Sequence, residues 1–169
     1  MQGGENLLMD DIGGTFEEKV RIWLRNLKID VVDLNIYIQS LTHRSYANEK
    51  KIMSRGNEQL EFLGDSVLSF IITSYLYHNY KSLPEGKMAK IRAFLVSRKT
   101  LFEIAKEIKI DRYILLSKNE ESCMGRRKVS ILADSVEALI GAIYIDKGID
   151  FTFDWVIELY KDRIIENVN

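Results

Sequence analysis

Leu60-Glu61-Phe62-Leu63-Gly64-Asp65-Ser66-Val67-Leu68-Ser69-Phe70-Ile71-Ile72-Thr73-Ser74-Tyr75-Leu76-Tyr77 is the longest apolar stretch of the chain. Its apolar residues cover most faces of a helix, and a helix apolar nearly all round is a buried one. Two acids and a glycine interrupt it. A glycine inside a helix costs roughly 1 kcal/mol relative to alanine, so Gly64 wants a packing or functional reason. Close approach of another backbone or of a ligand would supply one.

Further helices read outward from this segment. Phe16, Val20, Trp23, Leu24 and Leu27 recur at spacings of three and four, the pattern of an amphipathic helix. A short helix is expected from about Val32 to Leu41, and the segment around Asn48 to Gly56 reads as a polar loop. Pro84 and Gly86 interrupt the chain, so a helix should start near Glu85. Ser97 has the character of an N-cap for a helix running through Ile108. Ile114 to Leu116 is short enough to be extended or a single turn. Val129–Ile145 and Phe153–Ile165 read as the last two helices. No repeat and no strand–helix alternation is present, which predicts an all-α fold of six to eight helices around the central segment. Residues 1–14 carry four of the ten glycines and read as a flexible leader, leaving 15–169 as one domain.

Composition narrows the classes. The chain has 169 residues, 46% of them hydrophobic, which suits one domain with a real core. A single cysteine, Cys123, excludes an intramolecular disulfide and a multi-cysteine zinc site, and two histidines argue against a His-rich metal centre. No apolar run has the length of a membrane span and no signal pattern opens the chain, so a cytoplasmic location and no membrane partner are expected. The formal net charge of −1 argues mildly against a nucleic-acid binder, so such a claim must rest on a site.

The acids supply that site. Glu58, Glu61 and Asp65 lie at i, i+3 and i+7 on one stripe of the central helix, and Asp134 and Glu137 lie one turn apart on the helix from Val129. Neither Asn57–Tyr80 nor Val129–Ile145 contains Lys or Arg, so an ion pair within either helix is unavailable. Buried carboxylates must be protonated, paired across helices or bound to a cation. If the stripes face each other, four carboxylates converge with no neutralising partner nearby. A hard divalent cation with oxygen ligands answers that arrangement.

Asn57 to Leu68, NEQLEFLGDSVL, resembles the signature stretch of the ribonuclease III family. Three further segments, in order, resemble the motifs around it: Leu41–Glu49, Leu83–Gly86 and Ser130–Ala142. The resemblance implies that Glu61, Asp65, Asp134 and Glu137 are metal-binding carboxylates for Mg²⁺, which Mn²⁺ can replace. It implies catalytic roles for Asp65 and Glu137, accessory roles for Glu58 and Glu85, and a place for Phe62 in a homodimer interface. The implied activity is cleavage of double-stranded RNA between two subunits, leaving 5′-phosphates, 3′-hydroxyls and short 3′ overhangs. Processing of ribosomal and other RNA precursors is the implied role. No organic cofactor is called for. Bacterial members add a C-terminal double-stranded-RNA-binding domain, so truncation of a longer protein is the favoured reading of an end at Asn169.

The chemistry agrees with that resemblance. Phosphodiester hydrolysis needs an activated water and stabilised charge on attacking and leaving oxygens, which metal ions supply. His43 reads as a hydrogen-bonded structural residue, His78 as a helix-end residue, Cys123 as a loop thiol, and Ser66 and Ser135 as small packing residues. Residues 81–100 carry a net +5, including Lys87, Lys90 and Arg92, and Arg126-Arg127-Lys128 precedes the second acidic helix. These are the candidate RNA contacts, set against solvated helix faces. The competing readings are a catalytically silent RNA-binding or ribosome-associated relative, which should have lost its acids, and an all-α phosphohydrolase of small molecules, which should have His ligands.

Overall fold

The computed structural model describes residues 13–52 and 56–168, and the first twelve residues of the expected leader lie outside that range. Eight helices form among the described residues: α1 (Phe16–Asn26), α2 (Leu34–Ser40), α3 (Arg44–Glu49), α4 (Glu58–Asn79), α5 (Glu85–Leu95), α6 (Arg98–Glu107), α7 (Lys118–Ser122) and α8 (Val129–Val168). The all-α expectation holds.

Local chemistry sets the helix starts. Thr15 and Glu18 form a reciprocal capping box at α1, Asp33 caps α2, and Ser97 accepts from the Thr100 N–H at the start of α6. Pro84 precedes α5, where its fixed φ suits a helix entry. The sequence pattern missed α3 and α7, each under seven residues and too short to show periodicity. The two helices expected at the C-terminal end are both present within the span α8, and they meet at Gly148. Its φ of 78° and ψ of 177° are open to glycine and strained for any side chain.

The core lies where α4 meets α8. Residues of α8 from Ile131 to Ile143 are almost all buried, and Leu60, Val67, Leu68, Ile71, Ile72 and Leu76 of α4 pack with them. Gly64 and Gly141 explain how closely the two helices cross. A Cβ on Gly64 would fall 2.6 Å from the carbonyl carbon of Glu137, and one on Gly141 would fall 3.2 Å from that of Leu60. The expected reason for Gly64 is therefore a neighbouring backbone. The apolar character of α4 all round has a second origin, because Phe62, Phe70 and Tyr77 are exposed.

Long-range hydrogen bonds fix the layers around this crossing. Leu115 pairs with Thr42 as an isolated parallel bridge, so Ile114–Leu116 is extended. Asp146 of α8 accepts from the Val32 and Asp33 N–H groups and from the Tyr37 hydroxyl, tying α8 to the start of α2.

Candidate metal centre

The crossing that needs Gly64 and Gly141 also determines where the acids end up. Glu61 lies three residues before Gly64, and Glu137 lies four before Gly141, so each acid sits about a turn from the contact point. Glu61, Asp134 and Glu137 each offer an oxygen, and those oxygens all lie within 4.8 Å of one another. All three side chains are half-buried. Asp65 is exposed and does not join that trio, and Glu58 stands at the rim with Arg44 at 3.4 Å.

The electrostatics of the trio follow from burial. Desolvation, reinforced by Asp65, Asp134 and Glu61, pushes the Glu137 carboxyl up to about 8. Burial raises Glu61 as well, with Asp134 and Glu58 adding to it, and burial raises Asp134. Three oxygen donors that resist ionisation together either keep a proton among them or share a positive charge. Their hardness and count fit a divalent cation that keeps some of its water.

One expectation is corrected. The acids do have cationic neighbours, brought from elsewhere in the chain: Arg98 Nη2 stands 3.8 Å from Asp134 Oδ1, and Arg44 pairs with Glu58. Composition of the acidic helices could not reveal partners that lie outside them in sequence. The single warning in the sequence is that Arg98 directly follows a helix cap, a place that favours anions.

A cleft of about 540 Å³ opens beside the trio, and Glu61, Asp134, His43, Arg44, Glu120 and Lys128 are among the residues that line it. His43 caps α3, its Nδ1 accepting from the Ser45 N–H, and burial lowers its pKa. It is a hydrogen-bonded structural residue at the cleft edge. His78 lies in the last turn of α4, and Cys123 is an exposed thiol after α7. Ser135 is buried and donates to the Ile131 carbonyl, but Ser66 is exposed and is not a packing residue.

The remaining candidates are dispersed. Glu85 heads α5 in a separate groove with Tyr77 and Met88. Lys90, Arg92 and Arg127 are exposed, and Lys87 donates to the Val168 carbonyl. Arg126 is held by Glu121 and the Asp111 carbonyl, and Lys128 by Glu120.

An all-helical domain with a carboxylate trio at a glycine-mediated helix crossing is a recognisable class of protein. A family model described as Ribonuclease-III-like matches residues 33–164. Ribonuclease 3 of Clostridium tetani is 49% identical over 88% of this chain, and that of Borreliella burgdorferi is 46% identical over 82%. The matches cover 63% and 56% of those two proteins, so the chain spans about three-fifths of the curated relatives' length. The nuclease domain of ribonuclease III from Campylobacter jejuni superposes with a TM-score of 0.78 at 36% identity, covering 85% of this chain and 96% of that one. The chain belongs to the ribonuclease-III-like family.

Proposed function

We propose that this chain is the catalytic part of an endoribonuclease that hydrolyses double-stranded RNA with Mg²⁺, or Mn²⁺ in its place, and acts as a cytoplasmic homodimer. The observation that carries the reading is the half-buried trio of Glu61, Asp134 and Glu137, whose oxygens share one small volume. A divalent cation held there would supply an activated water and stabilise charge on the scissile phosphate.

The chain's own residues do the rest. Glu61, Asp134 and Glu137 would hold the cation, and because burial favours the protonated form of Glu137, a cation there would compete with a proton. Asp65, exposed beside them, adds negative charge on the solvent side. Glu58 is braced by Arg44 at the cleft mouth, where a strand would lie. Glu85 is too far along the fold to share the trio's cleft, which suits a role at a site completed by a second copy. Lys90, Arg92 and Arg127 offer exposed charge to phosphates flanking the cut, and Lys87, Arg126 and Lys128 keep N–H donors beyond those given to their internal partners.

Two further supports bear on assembly and substrate. Phe62 is 78% exposed on α4, with Phe70 and Tyr77 on the same helix, an apolar face that a second subunit would cover. The Campylobacter jejuni nuclease domain is described as having a region involved in dimer formation. The Ribonuclease 3 relatives support RNA as the substrate class, and double-stranded RNA and precursor processing are what the motif resemblance implies.

The test is incubation with long double-stranded RNA, with and without Mg²⁺. Expected products are short duplexes with 5′-phosphates, 3′-hydroxyls and 3′ overhangs, formed only with the metal. Full cleavage in excess chelator, or none with Mg²⁺ or Mn²⁺, would sink the reading.

A further inference from the structure

Arg98 belongs to neither acidic helix, yet it is the cation paired with a member of the trio among the described residues. It heads α6, and the corner it grows from is firmly held: the Ser97 hydroxyl accepts from the Thr100 N–H, and the Thr100 hydroxyl donates to the Phe94 carbonyl at 2.8 Å. The side chain itself is 68% exposed. A fixed origin with a free end describes an arm.

Its position is locally unfavourable. A helix N-terminus carries partial positive charge, and cations in the first turn are disfavoured there. α6 nevertheless opens with Arg98 and Lys99 and has no acid in its first turn. Helix energetics therefore give no reason for Arg98, whereas the half-buried trio does. The cations that do line the cleft are placed differently, Arg44 on Glu58 and Lys128 on Glu120.

We propose that Arg98 has two successive partners: Asp134 while the trio holds no cation, and a phosphate of bound double-stranded RNA once a divalent cation has taken Asp134. The proposal rests on the reading of the trio as a metal centre for RNA cleavage. At 3.8 Å the Arg98–Asp134 pair is an ionic contact between an exposed guanidinium and a half-buried carboxylate, too long for a hydrogen bond, and solvent on the arginine side keeps it weak. A divalent cation among the carboxylates repels the guanidinium and replaces it. The released guanidinium is then free beside the trio, next to Asp134, which lines the cleft. It stays charged at any working pH and matches two phosphate oxygens at once.

This double role gives two expectations of opposite sign, which a merely structural arginine would not produce. Removing the charge should make the empty trio a better metal site and the protein a poorer RNA binder. The probes are Mn²⁺ alone, titrated into RNA-free protein with free Mn²⁺ read by electron paramagnetic resonance, and a short RNA duplex titrated in Ca²⁺ over a range of salt. Arg98→Gln should bind Mn²⁺ about threefold to tenfold more tightly than wild type, the size of effect expected of one partly solvated charge. It should bind the duplex about threefold to tenfold more weakly, with a salt dependence shallower by about one phosphate contact. Arg98→Lys should restore the salt dependence.

The proposal is overturned if wild type binds Mn²⁺ and Arg98→Gln binds it no better, or if duplex affinity and salt slope are unchanged. Failure of the underlying reading looks different. Wild type would then bind no Mn²⁺, or Glu137→Gln would bind it as well as wild type does, and the proposal would fall with that reading.

Discussion

Glu137 carries the largest electrostatic burden of the site, since burial and three acidic neighbours push its carboxyl up to about 8. Glu137→Gln keeps size and hydrogen-bonding capacity while removing that charge. Without metal the variant should be as stable as wild type or slightly more so, whereas single-turnover cleavage should fall by at least about two orders of magnitude, several kcal/mol of transition-state stabilisation. A thermal melt paired with that assay decides the matter, because near wild-type cleavage removes Glu137 from the reaction and an unfolded variant makes the acid structural. The same shift dictates a pH profile. An acid that binds its proton more tightly folded than unfolded stabilises the fold fully below its ordinary value of 4.5, and that contribution is lost as pH rises to about 8. Glu61 and Asp134 are shifted in the same direction. Melts in chelator should therefore show a midpoint falling across that window and a flatter profile for Glu137→Gln, and a rising wild-type profile would contradict the burial argument. These acids were legible in the sequence because carboxylates among leucines and isoleucines are costly without a purpose. Arg98 was not, because its partner is thirty-six residues away in sequence and only the packing of α6 against α8 brings them together.

Between α4 and α8 the two glycines do what no side chain could. Gly64→Ala drives a methyl group into the Glu137 carbonyl of a buried helix, with no flexible side chain to give way. Overpacking of this kind costs about 1–3 kcal/mol or more, and the displaced carbonyl belongs to a trio member, so weaker Mn²⁺ binding should accompany the lower denaturation midpoint. Gly86→Ala is the control. Nothing lies within 4 Å of its would-be Cβ, and it sits in the first turn of α5, so it should be neutral or stabilising by up to about 1 kcal/mol. Equal urea midpoints for the two variants would disprove the close crossing. At this scale the sequence showed that Gly64 needed a reason but not which reason, since one glycine serves a ligand or a backbone equally well. Helix caps and apolar spacing placed α1, α2 and α6, and the start of α5, to within about two residues because those signals are local. The Asp146 clamp was unreadable for the opposite cause: Tyr37, one of its three partners, lies 109 residues away.

The whole molecule presents one face that its own core does not explain. Phe62, Phe70 and Tyr77 are 78%, 57% and 64% exposed, all on the helix that also carries Glu61. Large aromatic side chains left in water along one element are costly unless something covers them, and a second copy of the same face would do so with two-fold symmetry. A dimer built there would bring two trios into fixed relation, and with them the Glu85 side chains that each single fold leaves outside its cleft. Phe62→Asp tests this without touching the core, because the residue makes so little contact within its own chain. The carboxylate would have to be buried unpaired in the interface, a penalty large enough to dissociate most dimers. Light scattering at micromolar concentration should therefore give dimers for wild type and folded monomers for Phe62→Asp, with a melting midpoint reflecting only the lost association and with cleavage abolished. Mn²⁺ binding by the monomeric variant should persist, since the trio lies within one chain. Wild type that scatters as a monomer, or a Phe62→Asp protein that remains dimeric and cleaves normally, would assign the exposed face to some other partner and leave each trio to work alone.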